Sequence, residues 1–172
     1  MYKVRVILDT KKDVIRTLVV NQAKSLEDLH ADIAKSFGFN GQEMASFYRT
    51  DEDWNQGEEI PLFDMSEDGE APSMASCVIK ETLPNTNDKL IYVYDFLQMW
   101  TFYVEVVEQS AEEVNETKII LTVGEIPDKA PKKEFTATKE DQDGGFEDDF
   151  DDQLNDQFTS FENIDDFDFE NY

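Results

Sequence analysis

The side chains able to do chemistry in this chain are few. His30 is the sole histidine and Cys77 the sole cysteine. Asp95 stands inside the aromatic run Tyr92-Val93-Tyr94-Asp95-Phe96, a short way before Trp100. An imidazole titrates near neutrality and could serve as a general base or a metal ligand. Both tasks need partners, and with no second histidine the residues favour a structural His30, beside an apolar stripe and bonded to backbone. A carboxylate among aromatic rings could be desolvated and raised in pKa for acid–base work. Asp95 could equally accept backbone N–H bonds in the turn Leu97-Gln98-Met99, and aspartate in turns is common, so the turn is the expectation. Cys77 precedes Val78-Ile79 and has only Lys80 as a nearby base, the setting of an inert thiol.

The remaining patterns exclude more than they suggest. Asp51-Glu52-Asp53, Glu58-Glu59 and Glu67-Asp68 lack the alternating oxygens and glycine of a calcium loop. No glycine-rich phosphate cradle, nucleophile elbow or zinc spacing occurs. No cofactor and no metal are therefore expected, and the enzyme assignment has no positive feature behind it. Surrounding Asp95, Trp100 and His30 is the surface that a ligand-binding or enzymatic alternative would use.

Charge divides the chain. It has 172 residues, with 40 acids against 15 bases and a net charge of -25. Of these, 26 acids and all 15 bases lie in residues 1–139, leaving 14 acids and no base in 140–172. The acidic segment also holds Phe146, Phe150, Phe158, Phe161, Phe167, Phe169 and the final Tyr172. Dense carboxylates repel, and scattered rings do not offset an ordering entropy of about 1–2 kcal/mol per residue, so 140–172 is expected to be a disordered tail. Residues 127–139 then read as a linker, and residues 1–126 as the domain. Such a tail could draw a basic partner over distance and anchor rings in its pockets; the plainer reading is a solubilising extension. So acidic a chain does not suit direct binding of nucleic acid or anionic lipid. No membrane span and no secretory leader are expected, and a single cysteine suits a reducing cytoplasm.

Elements must hold these residues in place. Tyr2 to Leu8 alternates and Val14 to Val20 is β-rich, a hairpin across Asp9–Asp13. Ser25 is an N-cap, followed by Leu26, Leu29, Ile33, Ala34 and Phe37 at helical spacing and closed by Gly38. Met44–Arg49, Leu90–Phe96, Trp100–Val107 and Thr117–Val123 read as strands. Thr50–Ser76 reads as one long loop anchored by Trp54 and Ile60-Pro61-Leu62-Phe63, and Cys77–Leu83 as either a short helix or a strand. The fold class is α+β: one compact domain, its mostly antiparallel sheet packed on one main helix.

Taken in order, Val14-Ile15-Arg16, Ser25-Leu26-Glu27-Asp28-Leu29-His30, Phe37-Gly38-Phe39, Phe47, and Tyr92-Val93-Tyr94-Asp95-Phe96 with Trp100 form a pattern. Over about residues 2–124 it resembles the plasmid pRiA4b ORF-3-like family, also called transposon-passenger TnpR-like proteins. The resemblance implies a compact α+β domain and names no reaction. Departures from the family pattern fall on polar positions. Ile15 stands at its tryptophan, Glu43 and Ala45 at its His-Leu-His histidines, Leu97 and Gln98 at its Gly-Asp, and Phe102 at its last histidine. A polar site built from those residues would be largely lost here.

The functional expectation is a non-enzymatic interaction module whose tail engages a basic partner, such as a nucleic-acid-handling protein.

Overall fold

The computed structural model describes residues 1–132. Among these residues, seven strands and two helices follow one another as β1 (Tyr2–Leu8), β2 (Ile15–Val20), α1 (Leu26–Ser36), β3 (Ala45–Thr50), β4 (Gln56–Pro61), α2 (Ile79–Thr82), β5 (Lys89–Tyr94), β6 (Trp100–Gln109) and β7 (Lys118–Val123). The strands form one sheet in the order β4-β3-β5-β6-β1-β2-β7, and every neighbouring pair is antiparallel. No helix among the described residues is long and apolar enough to cross a membrane. The expectation of an α+β domain with an antiparallel sheet holds, although strand predominates.

Alternation builds the core face. Val4, Val6 and Leu8 of β1 sit opposite Val106, Val104 and Phe102 of β6. Leu90, Tyr92 and Phe47 continue the same face into β5 and β3, and all are buried. Lys3, Arg5 and Ile7 alternate onto the opposite face, where Arg5 pairs with Glu105 at 3.8 Å.

Helix α1 lies across the core face with Leu26, Leu29 and Ile33 inward. Ser25 caps it: its Oγ accepts from the Asp28 N–H, while the Asp28 carboxylate accepts from the Ser25 N–H. At the other end Gly38 takes a left-handed φ of 83°, and the Phe39 N–H returns to the Ala34 carbonyl, the turn that glycine permits without steric cost. Both ends agree with the residue pattern.

Two parts of the fold differ from expectation. The stretch read as one long loop contains β4, paired with β3 through Ile60↔Phe47 and Tyr48↔Glu59. Ile60 is its one buried side chain, so this edge strand shows no alternation to read. The β3–β4 turn is held by the Asp51 carboxylate, which accepts from the Asp53 and Asn55 N–H groups. It carries Trp54 over to Tyr103, with ring centroids 4.9 Å apart.

Nor is the rest of that connection free of the core. The Met74 and Cys77 carbonyls accept the Glu27 and Leu26 N–H groups, satisfying donors that the first turn of α1 leaves unpaired. Cys77–Leu83 resolves into the short α2, with Val78 bridged to Ser25. Cys77 is half-buried against the core.

After β7 the chain turns back along the domain. Ile126 and Ala130 pack against the core, and the compact unit runs Met1–Lys133. Phe146, Phe150, Phe158, Phe161, Phe167, Phe169 and Tyr172, with the rest of segment 140–172 and most of the expected linker, lie outside the described residues.

Candidate functional site

His30 projects from α1 into the core and is 4% exposed. Its Nδ1 lies 2.7 Å from the Tyr92 hydroxyl, a contact between residues 62 apart in the chain. The rings of Tyr92 and Tyr94 stand 5.8 and 6.1 Å from it, centroid to centroid. Burial holds the His30 pKa below its ordinary value, partly offset by a hydrogen bond with the Gly41 backbone. Burial and the neighbouring Tyr94 push the Tyr92 phenol upward. Both groups are thus neutral at neutral pH. A buried neutral imidazole held through Nδ1 by the Tyr92 hydroxyl is placed within the core.

This pairing has a pH signature. Below about 6.5, the ordinary histidine value, the unfolded chain takes up a proton that the folded His30 refuses. The stability contributed by a neutral His30 is therefore present above pH 6.5 and is lost as the pH falls toward the depressed folded value. The loss is at most about 1.4 kcal/mol per pH unit in that window. Urea unfolding at pH 7.5 and 5.5 should show a larger drop for the natural protein than for His30→Gln. Equal drops would mean that His30 titrates alike in both states.

Asp95 and Trp100 close the β5–β6 hairpin. Asp95 has a left-handed φ of 59°, tolerated by aspartate better than by most residues. Its Oδ1 accepts the Leu97 and Gln98 N–H groups at 3.1 and 3.3 Å, and its carbonyl accepts the Gln98 and Met99 N–H groups. The Asp95 N–H donates to the Met44 carbonyl, tying this turn to the segment before β3. Trp100 is buried, and its ring lies 5.2 Å from Phe39, which stacks on Tyr94 at 4.7 Å. The Tyr94 hydroxyl donates to the Asn40 side chain at 3.2 Å.

Two shallow clefts flank the loop between α1 and β3. One, of about 390 Å³, is lined by Phe39, Tyr94, Trp100, Asp95, Glu43 and Asp128 among others. The other, of about 330 Å³, lies over His30 and takes in Glu27, Glu43, Met44 and Phe63. Asp95 and Trp100 are thus brought together, while His30 belongs to the second cleft. Glu43 lines both. Among the described residues, no lysine or arginine lines either one. Among the described residues, no group of three His, Cys, Asp or Glu side chains is arranged to hold a metal ion.

Residues that the linear pattern did not single out complete these walls: Glu27, Asn40 and Asp128. Two signals pointed there. Gly38 and Gly41 frame an irregular loop, and Glu43 stands at a family histidine position. Gln98, at the family's Gly-Asp, also lines the first cleft. Phe102, at the last histidine, is fully buried against Phe37, 4.6 Å away.

Comparison with known proteins agrees with this architecture. The family model described as plasmid pRiA4b ORF-3-like protein matches residues 1–156. A crystal structure of a protein of unknown function from Methanosarcina mazei Go1 is similar, with a TM-score of 0.55 and 18% identity over 70% of this chain and 68% of that one. At that identity the likeness concerns the fold. No curated protein matches.

Proposed function

The chain belongs to the plasmid pRiA4b ORF-3-like family, and from that premise we propose that it is a non-enzymatic, cytoplasmic interaction module for a basic partner. One observation carries this reading: among the described residues, the clefts formed around the candidate residues are walled by carboxylates and aromatic rings and lined by no lysine or arginine. The uniformly acidic segment 140–172 adds to it, with 14 acids, no base and seven aromatic side chains. Like-signed charge on both parts attracts a cationic surface and speeds encounter, while rings supply the short-range contact. The side chains best suited to catalysis are engaged elsewhere, His30 with Tyr92 and Asp95 in its turn.

Affinity capture from lysate with the full chain and a 1–139 truncation tests the reading. The full chain is expected to retain basic proteins, nucleic-acid-handling ones among them, at low salt and to release them at high salt. Truncation is expected to lose part of that set. Identical salt-insensitive partner lists would end the proposal.

A second reading rests on the meeting of Asp95 and Trp100 at one cleft: a small cationic ligand bound there. A thermal-shift screen of metal cations and cationic metabolites, with nucleotides as the anionic control, would support it by a rise in melting temperature for the cations that Asp95→Asn abolishes. A flat screen would leave the interaction reading alone.

A further inference from the structure

We infer that the outer edge of β7 is a pairing site for an extended basic segment of a partner protein, which joins the sheet as a further strand. The inference rests on the reading of the chain as a module for basic partners and places one contact on the fold. The two edges of the sheet differ. On β4, Gly57, Glu58 and Glu59 are exposed, Arg49 pairs with Glu58 at 3.2 Å, and Pro61 lacks an N–H. Charges, glycine and proline are the usual guards against pairing at a sheet edge.

β7 has less of this protection: it holds no proline, glycine or acid, and its guards are Lys118 and one bulge. Among the described residues it pairs only with β2, and Lys118 is its one charge. Ile119, Ile120 and Leu121 are 51%, 51% and 47% exposed. Leu121 sits opposite Thr17 and Ile119 opposite Leu18, which leaves Ile120 as an extra residue in a bulge. Ile119 therefore shares the helix-bearing face, where the Thr117 hydroxyl donates to Asp32 of α1, and Leu121 shares the opposite face with Thr17. Single exposed apolar residues are ordinary. Three in series, divided between both faces of an edge strand, suit another strand alongside, which would also pair backbone groups that no described residue pairs.

Charge selects the occupant. Glu112, Glu113 and Glu116 precede the strand, and Glu125 and Asp128 follow it ahead of Lys129 and Lys132, all exposed. A second copy would bring a net acidic stretch against itself, five carboxylates against Lys118, Lys129 and Lys132. A strand with a β-branched centre and lysine or arginine at its ends meets opposite charge most strongly beside Glu112, Glu113 and Glu116.

The test titrates the full chain with a synthetic peptide of alternating valine and threonine, carrying lysines at both ends. The same peptide with glutamates for lysines is the control. Amide exchange and chemical shifts are followed by NMR. The lysine peptide is expected to slow exchange across Lys118–Val123. Binding should weaken by at least about tenfold for the glutamate peptide and for Ile120→Lys, whose melting temperature should match the natural protein's. The site is overturned by protection at β4 instead of β7, by no protection, or by equal binding of both peptides. It is also overturned by a concentration-dependent dimer that Ile120→Lys abolishes, since a second copy would then be the occupant. Undiminished salt-sensitive capture of basic proteins by Ile120→Lys would remove the β7 site and leave the broader reading standing. Loss of all such capture by the natural chain would remove both.

Discussion

Gly124→Ala is expected to destabilise the protein by roughly 3 kcal/mol or more, a large part of the stability of a domain this size. Gly124 follows β7 with a left-handed φ of 69°. A Cβ there would stand 2.1 Å from the Asp13 carbonyl oxygen and 3.3 Å from the Val14 Cα. The obstacle is backbone at the mouth of the β1–β2 turn, which no rotamer change can clear. Alanine would add the cost of a left-handed conformation, about 1–2 kcal/mol, to that overlap. The chain could escape only by lifting β7 from β2. Urea unfolding measures the effect. A midpoint shifted by less than the equivalent of about 1 kcal/mol would mean that Asp13 and Gly124 part easily.

Arg16→Met is expected to cost about 2–4 kcal/mol, and Arg16→Lys to recover little of it. Arg16 is 7% exposed, and its bonds all go to carbonyls. Its Nε donates to Ser36 at 3.1 Å, and one terminal nitrogen donates to Ile15, Val123 and Gly124 at 3.0 to 3.2 Å. The guanidinium also lies 4.9 Å from the Phe37 ring centroid. Ser36 ends α1, where unpaired carbonyls carry partial negative charge, so helix and cation satisfy each other without a carboxylate. One planar fork thus ties α1, β2 and the end of β7 together. Methionine refills much of the volume and removes a buried charge, but it leaves those carbonyls without their donor. Lysine keeps the charge and loses the fork. Equilibrium unfolding of both variants decides the matter. If Arg16→Lys stays within about 0.5 kcal/mol of the natural protein, fork geometry is not what holds the corner.

These two residues show where reading a sequence stops. Arg16 was visible as part of the resemblance Val14-Ile15-Arg16, and Gly124 as the end of a strand. Neither could be seen to depend on the other, because Arg16 and the Gly124 carbonyl are 108 residues apart in the chain. β4 escaped notice for a related reason. Gln56-Gly57-Glu58-Glu59-Ile60-Pro61 has no β propensity of its own, and the backbone of β3 makes it a strand. The candidate site was legible only in pieces. Asp95 and Trp100 stood close in the chain, but Glu43 and Asp128 join them only through the folding of the sheet.

Periodicity and capping are local, set by side chains within one turn of helix or a few residues of strand. Through them the residues alone determined β1, α1 with both of its ends, the central strands, and the sharp change of charge at residue 140. Burial is collective. That His30 is buried beside Tyr92, and that β4 and β7 form the edges of the sheet among the described residues, depends on neighbours that only the closed sheet brings together. The tertiary structure decided those points, because a side chain's pKa and partners are properties of its surroundings and not of its place in the sequence.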